Sequence, residues 1–363
     1  MSKVWFAAIE GEIDAAQLSQ KIIDLYESAD FQKIFSQGEY TAIKIHFGEK
    51  NNTGHIKPRW IKPLIDKIKD KGCKPFLTDT NTLYRGERFN SVDHLLQAHK
   101  HGFSIENLGI PVIIADGLLS KNFTETPVKG KYFHSVKIAN DILHSNSLLV
   151  LSHMTGHVLT GVGAAIKNLA MGCAPRSGKQ VQHADIKPEV KGEKCQACGL
   201  CVNWCPKNAI DLYDGIARID LENCYGCAEC IATCRYEAIA HSFSNASIPL
   251  QEKMAEYALG AVKDKKGKVC YFNFLTHISK ECDCMGKAQD KVINDIGILA
   301  SYDPVALDQA SIDLLNEKAG HDIMAGLWPG NDYNVQLNHA EAVGLGTREY
   351  KLISVKTSGK VDE

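Results

Sequence analysis

The residues with the clearest potential for chemistry are eight of the thirteen cysteines, which lie within forty residues in two runs of equal spacing. In each run, two residues separate the neighbours among the first three cysteines, and three residues separate the third from the fourth. The first run comprises Cys195, Cys198, Cys201 and Cys205, and the second comprises Cys224, Cys227, Cys230 and Cys234. Because each cysteine of the first run has a counterpart 29 positions later, the segment is an internal duplication with two equivalent sites.

This spacing resembles that of the bacterial ferredoxins, in which thiolates hold 4Fe-4S clusters and the fourth cysteine of each run binds the other cluster. The resemblance implies that one 4Fe-4S cluster takes Cys195, Cys198, Cys201 and Cys234, and that the other takes Cys224, Cys227, Cys230 and Cys205. The sequence departs from the pattern once, since Pro206 follows Cys205 but Arg235 follows Cys234. Ligation is expected to survive because the proline contributes no ligand, whereas the Arg235 cation would favour the reduced form of the first cluster.

Two other roles for these cysteines fit the spacing less well. Zinc ribbons use paired Cys-x2-Cys units, without a third cysteine three residues further on and a fourth after it. A disulfide framework is typical of secreted proteins, and nothing in this sequence marks the chain as secreted.

Length and composition indicate an ordinary globular protein: 363 residues, 44% of them hydrophobic, are enough for a sizeable core and two or three domains. The net charge of −2 and the scattered Lys and Arg residues argue against a nucleic-acid partner. No apolar run approaches the ~18 residues that span a bilayer, and acidic residues begin at Glu10, which is too early for a secretory signal. A cytoplasmic location in a reducing, oxygen-poor cell is therefore expected, with no membrane association.

Outside the two runs, short apolar stretches alternate with amphipathic ones, as in βαβ units. Strands are predicted over residues 4–9, 41–47, 74–77, 112–115, 147–151, 268–275, 296–300 and 350–355. Helices are predicted over residues 18–26 and 58–71, from a Ser91 cap to residue 101, around Lys167, and from an Asp303 cap to just before Gly320. Polar residues follow several of the strands, at the carboxyl ends where open α/β sheets bind their ligands.

The chain is predicted to have three parts. Residues 1–186 and 245–363 form one discontinuous α/β domain with an open, mostly parallel sheet. Residues 187–244 form a small α+β, ferredoxin-like module that interrupts this domain and binds the two 4Fe-4S clusters. Residues 174–194 lose hydrophobic periodicity and are rich in Lys, Gly and Pro, so they are predicted to be a linker into the module.

Several segments of the α/β domain are similar to the domain-of-unknown-function 362 family. They are IKIHFGEKNNTGHIKP, TDTNTLYRGERFNSVDHLLQAHKHGF, SHMTGHVLTGVGAAIKNLAMG, CDCMGKAQ and GILASYDPVALDQASIDLL. Members of this family often carry a two-cluster ferredoxin insertion at the same place, so the resemblance implies iron-sulfur binding and little more. A more distant similarity, to the α/β domains of the nickel-pincer lactate racemase, assigns no residue here.

A second site is expected where polar side chains collect at the strand ends of the α/β domain. The principal candidates for catalysis are His46, Glu49, His153, Lys167, Cys282 and Cys284, and the further candidates are His55, Asp79, Asn81, Asp116, His157 and Asp303. Imidazole, thiolate and carboxylate are the ligands of a borderline-soft metal. The expectation is a pocket for an additional metal ion or for a polar small-molecule substrate.

Each candidate also has a simpler role. Cys282 and Cys284 fit metal ligation or a redox dithiol equally well, and they could also be inert thiols. Asp303 is most simply a helix cap, and Lys167 could lie on a helix surface. Glu49 could be a solvated loop carboxylate.

The sequence favours an iron-sulfur redox protein, in which the module relays electrons to or from a polar site in the α/β domain. The chain would then be an oxidoreductase or a component of one, with a redox partner protein as electron donor or acceptor. The first alternative is an electron-transfer partner without its own catalysis, which needs no enclosed polar pocket. The second is a non-redox enzyme in which the clusters are structural or sense oxygen.

Overall fold

A single eight-stranded sheet forms the centre of the computed structural model, which describes residues 1–84, 86–183, 188–205, 207–224, 230, 233–240 and 247–356. In chain order the strands are β1 (Ser2–Ala8), β2 (Tyr40–Lys44), β3 (Lys74–Asp79), β4 (Val112–Ile114), β5 (Phe123–Pro127), β6 (Ser135–Ala139), β7 (Ser147–His153), β8 (Thr155–His157), β9 (Gly161–Gly163), β10 (Glu189–Val190), β11 (Ile210–Tyr213), β12 (Ile216–Ile219), β13 (Ile239–Ala240), β14 (Val269–Leu275), β15 (Gly297–Ser301) and β16 (Tyr350–Ser354).

The central sheet has the strand order β16-β1-β15-β14-β7-β2-β3-β4. Strand β15 runs antiparallel to both of its neighbours, and every other neighbouring pair is parallel. The expected open, mostly parallel sheet is therefore confirmed, and each strand predicted from the sequence belongs to it. Because the parallel strands point the same way, their carboxyl ends lie along one edge of the sheet.

Helices cover both faces of this sheet. In chain order they are α1 (Ala15–Ser28), α2 (Pro58–Asp70), α3 (Ser91–Lys100), α4 (Ile105–Leu108), α5 (Asn140–Leu143), α6 (Ala165–Ala170), α7 (Arg176–Gln182), α8 (Leu200–Asn203), α9 (Ser247–Val262), α10 (Pro304–Ala319), α11 (Ile323–Leu327) and α12 (Asn334–Ala342), with 3-10 turns at Phe31–Ile34 and Gly192–Lys194. None of the described helices has both the length and the apolar composition needed to cross a membrane.

The central strands are apolar on both faces because each face packs on its own layer of helices. In β7, Leu148 and Val150 enter the core formed with α6, α9, α10 and α12, whereas Leu149 and Leu151 enter the core formed with α1 and α2. This alternation explains why the strand reads as a continuous apolar run rather than an amphipathic one.

Two local predictions are wrong. The predicted linker contains helix α7, which shows no apolar periodicity because its buried side chains are polar, as in Lys179, which donates to Thr80 Oγ1 at 2.6 Å. At the start of α3 the cap is Asn90, whose side chain accepts from the backbone of Val92, and the Ser91 hydroxyl instead donates to a loop carbonyl. Residues 184–187, where the module was predicted to begin, lie outside the described residues.

Residues 188–240 are called the cysteine-rich segment below, and among its described residues those around Cys205 and Cys234 repeat their local geometry at the interval of 29 residues. Ala209 N–H donates to Cys205 Sγ at 3.2 Å, and Ala238 N–H donates to Cys234 Sγ at 3.3 Å. The residues before the two donors, Asn208 and Glu237, have φ values of 49° and 50°. Strands β11 and β13 begin directly after the donors, so the duplication in sequence is also a duplication in backbone conformation.

The start of α6 is bound by a carboxylate from α10. The N–H groups of Ala165 and Ile166 each donate to Asp308 at 2.9 Å, and the Asn273 amide donates to it at 2.8 Å. The substitution Asp308→Ala is expected to lower the free energy of unfolding by about 2 kcal/mol, because buried donors lose an acceptor. Urea unfolding measures this, with Glu317→Ala on the exposed side of α10 as the control. Equal losses in the two variants would contradict the role assigned to Asp308.

Candidate functional site

A cavity of about 950 Å³ lies at the carboxyl ends of β2, β3 and β7, beside the loop that follows β14. It is the position at which open α/β sheets bind ligands. Eight of the residues singled out from the sequence line it, namely His46, Glu49, Asp79, His153, His157, Lys167, Cys282 and Cys284.

The two thiols lie in a tight turn on the cavity wall. Met285 N–H donates to Cys282 O at 3.0 Å, which closes the turn. Hydrogen bonding with Cys284, followed by burial, holds the pKa of Cys282 well above its usual range. The same hydrogen bond, with help from Lys167 and His46, outweighs burial and holds the pKa of Cys284 well below its usual range. The two sulfurs therefore favour sharing one proton, and Cys284, which lies 3.5 Å from His46 Nε2, is the sulfur better placed to carry the negative charge.

The tautomer of His46 follows from its neighbours. Gly48 N–H donates to His46 Nδ1 at 3.0 Å, so this nitrogen carries a lone pair and Nε2 carries the proton. His46 Nε2 lies 3.5 Å from Cys284 Sγ and donates to the thiolate. A side chain at Gly48 is excluded, because φ is +79° and a Cβ atom would come within 2.9 Å of the His55 and His101 rings.

His153 holds the turn between the two cysteines. Its Nδ1 lies 2.8 Å from Asp283 Oδ2, and its Nε2 lies 2.7 Å from the Thr276 carbonyl oxygen. Both partners only accept hydrogen bonds, so both ring nitrogens are protonated. Burial opposes this charge, but Asp283 and the carbonyl outweigh burial and raise the pKa of His153. His153 thus positions the dithiol turn through an ion pair that is itself buried.

Two further groups face the thiols from β8 and α6. His157 Nδ1 accepts from Leu159 N–H at 3.2 Å, and burial, with the nearby Lys167 ammonium, holds the pKa of His157 well below its usual range. The ring is neutral, and its Nε2 proton is available to a ligand. Burial lowers the pKa of Lys167, but Cys282 and Cys284 outweigh burial and raise it overall. Lys167 is therefore a cation that faces the thiols, rather than a helix-surface lysine.

A buried ion network forms the base of the cavity. Asp79 lies 3.0 Å from Lys44 Nζ and 3.1 Å from Arg88, with all three side chains at most 4% exposed. Arg88 Nε lies 3.4 Å from Glu49, and its guanidinium also donates to the Tyr84 hydroxyl. Glu49 is thus a buried member of this network, not a solvated loop carboxylate.

Sequence patterns did not identify Lys44, Tyr84 or Arg88 as site residues. One signal for Lys44 was present, since a lysine within the apolar run of β2 is expected to need a buried partner. Arg88 lies in an irregular loop whose sequence resembles solvated turns. Its burial depends on Asp79, which comes from another strand end, and only the tertiary structure brings the two together.

Four of the candidates do not line the cavity. Asp303 lies at the opposite edge because it follows β15, the antiparallel strand, and it caps α10 by accepting from Val305 N–H at 2.9 Å. Asn81 donates to Asp116 at 3.0 Å behind the cavity wall, and burial raises the pKa of Asp116 to about 6. His55 is buried and stacks on His101, with ring centroids 4.2 Å apart.

The cysteine-rich segment has a small cavity of its own. Among the residues that line it are Cys195, Cys198, Cys201 and Cys234. Cys201 and Cys230 are buried members of the apolar core of the segment, which also includes Leu83. Leu83 lines the larger cavity as well. Leu83 therefore belongs both to the core of the cysteine-rich segment and to the lining of the larger cavity, which is called the dithiol cavity below because Cys282 and Cys284 line it.

No group of three or more His, Cys, Asp or Glu side chains within the described residues is placed to hold a single metal ion. The twelve cysteines that the structure describes have free thiols. Cys227, one of the predicted cluster ligands, lies outside the described residues.

The fold and the site define an α/β protein with its candidate site at the carboxyl edge of an open sheet. The sequence matches the family described as "Domain of unknown function (DUF362)" over residues 41–313, and the chain belongs to this family. No curated protein matches the chain.

Two solved structures show limited similarity. One is the lactate racemase apoprotein from Thermoanaerobacterium thermosaccharolyticum, with a TM-score of 0.46 and 12% sequence identity over 86% of this chain and 57% of that chain. The other is a protein from Thermotoga maritima, with a TM-score of 0.42 and 9% identity over 86% of this chain and 61% of that chain. The chain thus spans less than two thirds of the length of either structure.

Proposed function

We propose that this protein is an iron-sulfur oxidoreductase, in which the cysteine-rich segment holds two 4Fe-4S clusters and exchanges electrons with the dithiol cavity. The position of Leu83 is the observation that carries this proposal. Leu83 is 5% exposed, belongs to the same apolar cluster as Cys201 and Cys230, and lines the cavity. Leu83 is therefore part of both the apolar core of the cysteine-rich segment and the wall of the candidate site.

The residues present fit such clusters. The four cysteines implied for the first cluster line one cavity, as ligands that bind different iron atoms of one cluster must. Backbone N–H groups donate to cysteine sulfurs at Cys195, Cys205 and Cys234, at 3.4, 3.2 and 3.3 Å. Such hydrogen bonds stabilise thiolate ligands and tune the potential of a cluster. When bound, 4Fe-4S clusters supply one-electron transfer.

Tyr84, the residue after Leu83, connects the core of the cysteine-rich segment with the cavity that Cys284 lines. Tyr84 lines the cavity and contacts Arg88 through its hydroxyl. Burial holds the pKa of Tyr84 well above its usual range, and a negative charge on Cys284 raises this pKa further, so the phenol stays protonated. A covalent and packed route thus runs from the core around Cys201 and Cys230, through Leu83 and Tyr84, to the cavity.

The cavity favours catalysis over a pure electron carrier, because a carrier needs no enclosed thiolate and no buried ion network behind it. Exposed apolar side chains on the cysteine-rich segment support a redox partner protein as the external donor or acceptor. They include Leu212, Tyr213, Leu221 and Tyr236, each at least 45% exposed. Exposed apolar surface of this kind is what a docking partner would cover.

Anaerobic purification followed by iron, sulfide and zinc analysis tests the proposal. The wild-type protein is expected to hold about eight iron and eight sulfide ions per chain, with coupled EPR signals from the dithionite-reduced clusters. Cys198→Ser and Cys224→Ser, one from each implied ligand set, are each expected to lose about half of the iron. Cys73→Ser is the control, because its buried thiol donates to Ser36 O and a hydroxyl can do the same.

The iron-sulfur proposal fails if the wild-type protein holds zinc with four or fewer iron ions per chain. It also fails if neither ligand variant loses more iron than Cys73→Ser does.

A further inference from the structure

We propose that Cys282 and Cys284 form a redox couple that interconverts between a dithiol and a disulfide on the cavity wall, with Cys284 as the attacking sulfur. The substrate class is a small organic disulfide. This inference extends the proposed function. It rests on that function only for the source of the electrons that reduce the Cys282–Cys284 disulfide. The thiol chemistry itself needs only residues of the α/β domain.

The turn geometry permits the bond. Two residues of extended chain span about 7 Å, and the turn closed by Met285 N–H shortens this distance between Cys282 and Cys284. The two Cα atoms are then within the range that disulfides bridge. Both thiols line the same cavity wall within this turn, so the bond forms between neighbouring side chains of one short loop.

Cys282 and Cys284 differ in exposure and in the groups that surround their sulfur atoms. Cys282 is 9% exposed, whereas Cys284 is partly exposed and faces the cavity. Cys284 accepts from His46 Nε2, whose proton is fixed by Gly48 N–H. Lys167 contacts Cys282 and lies beside Cys284. A thiolate beside cationic and N–H groups is the attacking member of a dithiol pair, and the buried thiol is the resolving member.

The charged and titratable groups that face Cys284 come from several elements. They are Cys282 on its own turn, His46 after β2, Tyr84 and Arg88 in the loop after β3, His157 on β8 and Lys167 on α6. The two cations and the N–H donor of His46 stabilise the thiolate. Asp283, the carboxylate of the same turn, is paired with the protonated His153, so its charge is compensated.

The reaction balances in two steps. The Cys284 thiolate attacks one sulfur of the disulfide substrate, which forms a mixed disulfide and releases the other sulfur as a thiolate. The Cys282 thiol then gives its proton to that thiolate and attacks Cys284 Sγ, which forms the Cys282–Cys284 disulfide and releases the second thiolate. Two electrons and one proton return the pair to thiolate and thiol, and a bound 4Fe-4S cluster would supply the electrons one at a time.

The rest of the cavity suits a small disulfide with a polar end. Its apolar wall includes Leu159, Met171 and Met254, which would contact carbon and sulfur atoms. The neutral His157 ring offers its Nε2 proton near the thiolate, and Lys167 attracts the sulfur that leaves as an anion. The cavity volume of about 950 Å³ is in the usual range for small-molecule sites.

The test uses the purified wild-type chain and 2-hydroxyethyl disulfide as the probe. After one equivalent of the probe has reacted, peptide mass spectrometry is expected to find a Cys282–Cys284 disulfide. The peptide that contains it is lighter by two hydrogen atoms than the same peptide in the dithiol form. In Cys282→Ser the probe half is expected to stay on Cys284 as a mixed disulfide. In Cys284→Ser the rate of reaction in this turn is expected to fall at least tenfold.

Three results would overturn the redox couple. One is zinc bound to both thiols in the wild-type chain and retained after the probe is added. Another is modification of Cys282 at the wild-type rate in Cys284→Ser. The third is a mixed disulfide on wild-type Cys284 that never resolves to the internal disulfide.

A separate measurement distinguishes this inference from the proposed function. The oxidised pair is treated either with dithiothreitol or with dithionite-reduced holoprotein clusters under anaerobic conditions, and free thiols are counted. Recovery of two thiols per chain with both reductants supports both proposals. Recovery with dithiothreitol alone keeps the redox couple and overturns electron delivery from the clusters. Recovery with neither overturns the couple and leaves the iron analysis as the test of cluster binding.

Discussion

Replacing Asp79 by alanine is expected to lower the free energy of unfolding by about 3–5 kcal/mol, the largest stability effect that the structure predicts. The substitution leaves Lys44 and Arg88 buried without the carboxylate that lies 3.0 and 3.1 Å from them. Urea denaturation of the Asp79→Ala variant measures the loss. Its control is Asp66→Ala, which breaks a surface ion pair with Lys62 and should cost less than about 1 kcal/mol.

The same carboxylate predicts a dependence of stability on pH. Burial opposes the charged form of Asp79, but Lys44 and Arg88 outweigh burial and hold its pKa below the ordinary value of 3.8. The folded protein therefore binds this proton less readily than the unfolded chain does. The stability from Asp79 is fully present above about pH 4 and is lost as the pH falls further. A wild-type stability profile parallel to that of Asp79→Ala below pH 4 would contradict this role of Asp79.

Replacing Lys167 by methionine is expected to slow alkylation of Cys284 roughly tenfold at the pH where the wild-type thiol is half ionised. The methionine keeps the length of the side chain but removes the ammonium beside Cys282 and Cys284. If losing the ammonium destabilises the thiolate by about 1.4 kcal/mol, the ionisation constant of the thiol falls tenfold. The rate of reaction with iodoacetamide is measured from pH 4 to 10, and its midpoint should move to higher pH.

Lys287→Met is the matched control for this variant. Lys287 lies three residues after Cys284 but is 59% exposed and pairs with Glu281 instead. Its removal should leave the midpoint unchanged. If Lys167→Met also leaves it unchanged, then His46 and Cys282 alone stabilise the thiolate and the role given to Lys167 is wrong.

The strands of the central sheet were predictable because each is marked by its own composition. Runs such as residues 147–151 and 268–275 are short and apolar on both faces, which is typical of buried strands in parallel sheets. The placement of His46, Glu49 and Asp79 around one site was predictable for the same reason. Parallel strands bring their carboxyl ends together, whatever the rest of the chain does.

Asp303 shows that a position after a predicted strand is not enough to place a residue at the site. Its strand was predicted correctly, but the direction of β15 in the sheet depends on which neighbours it pairs with. Helix α7 shows a second limit, because its polar side chains are buried by contacts with distant loops such as that of Thr80. Periodicity detects burial of apolar faces, so a helix with a buried polar face escapes it.

The site around Cys282 and Cys284 shows most clearly which features local sequence patterns predict and which depend on tertiary contacts. Local patterns were enough to predict that two cysteines two positions apart follow a strand, and to detect that eight others repeat a spacing similar to that of ferredoxins. Tertiary contacts determine how charge is shared between Cys282 and Cys284, the pairing of His153 with Asp283, and the place of Leu83 in the cavity wall. Charge state and reactivity depend on neighbours in space, and those neighbours come from strands and helices far apart in the chain.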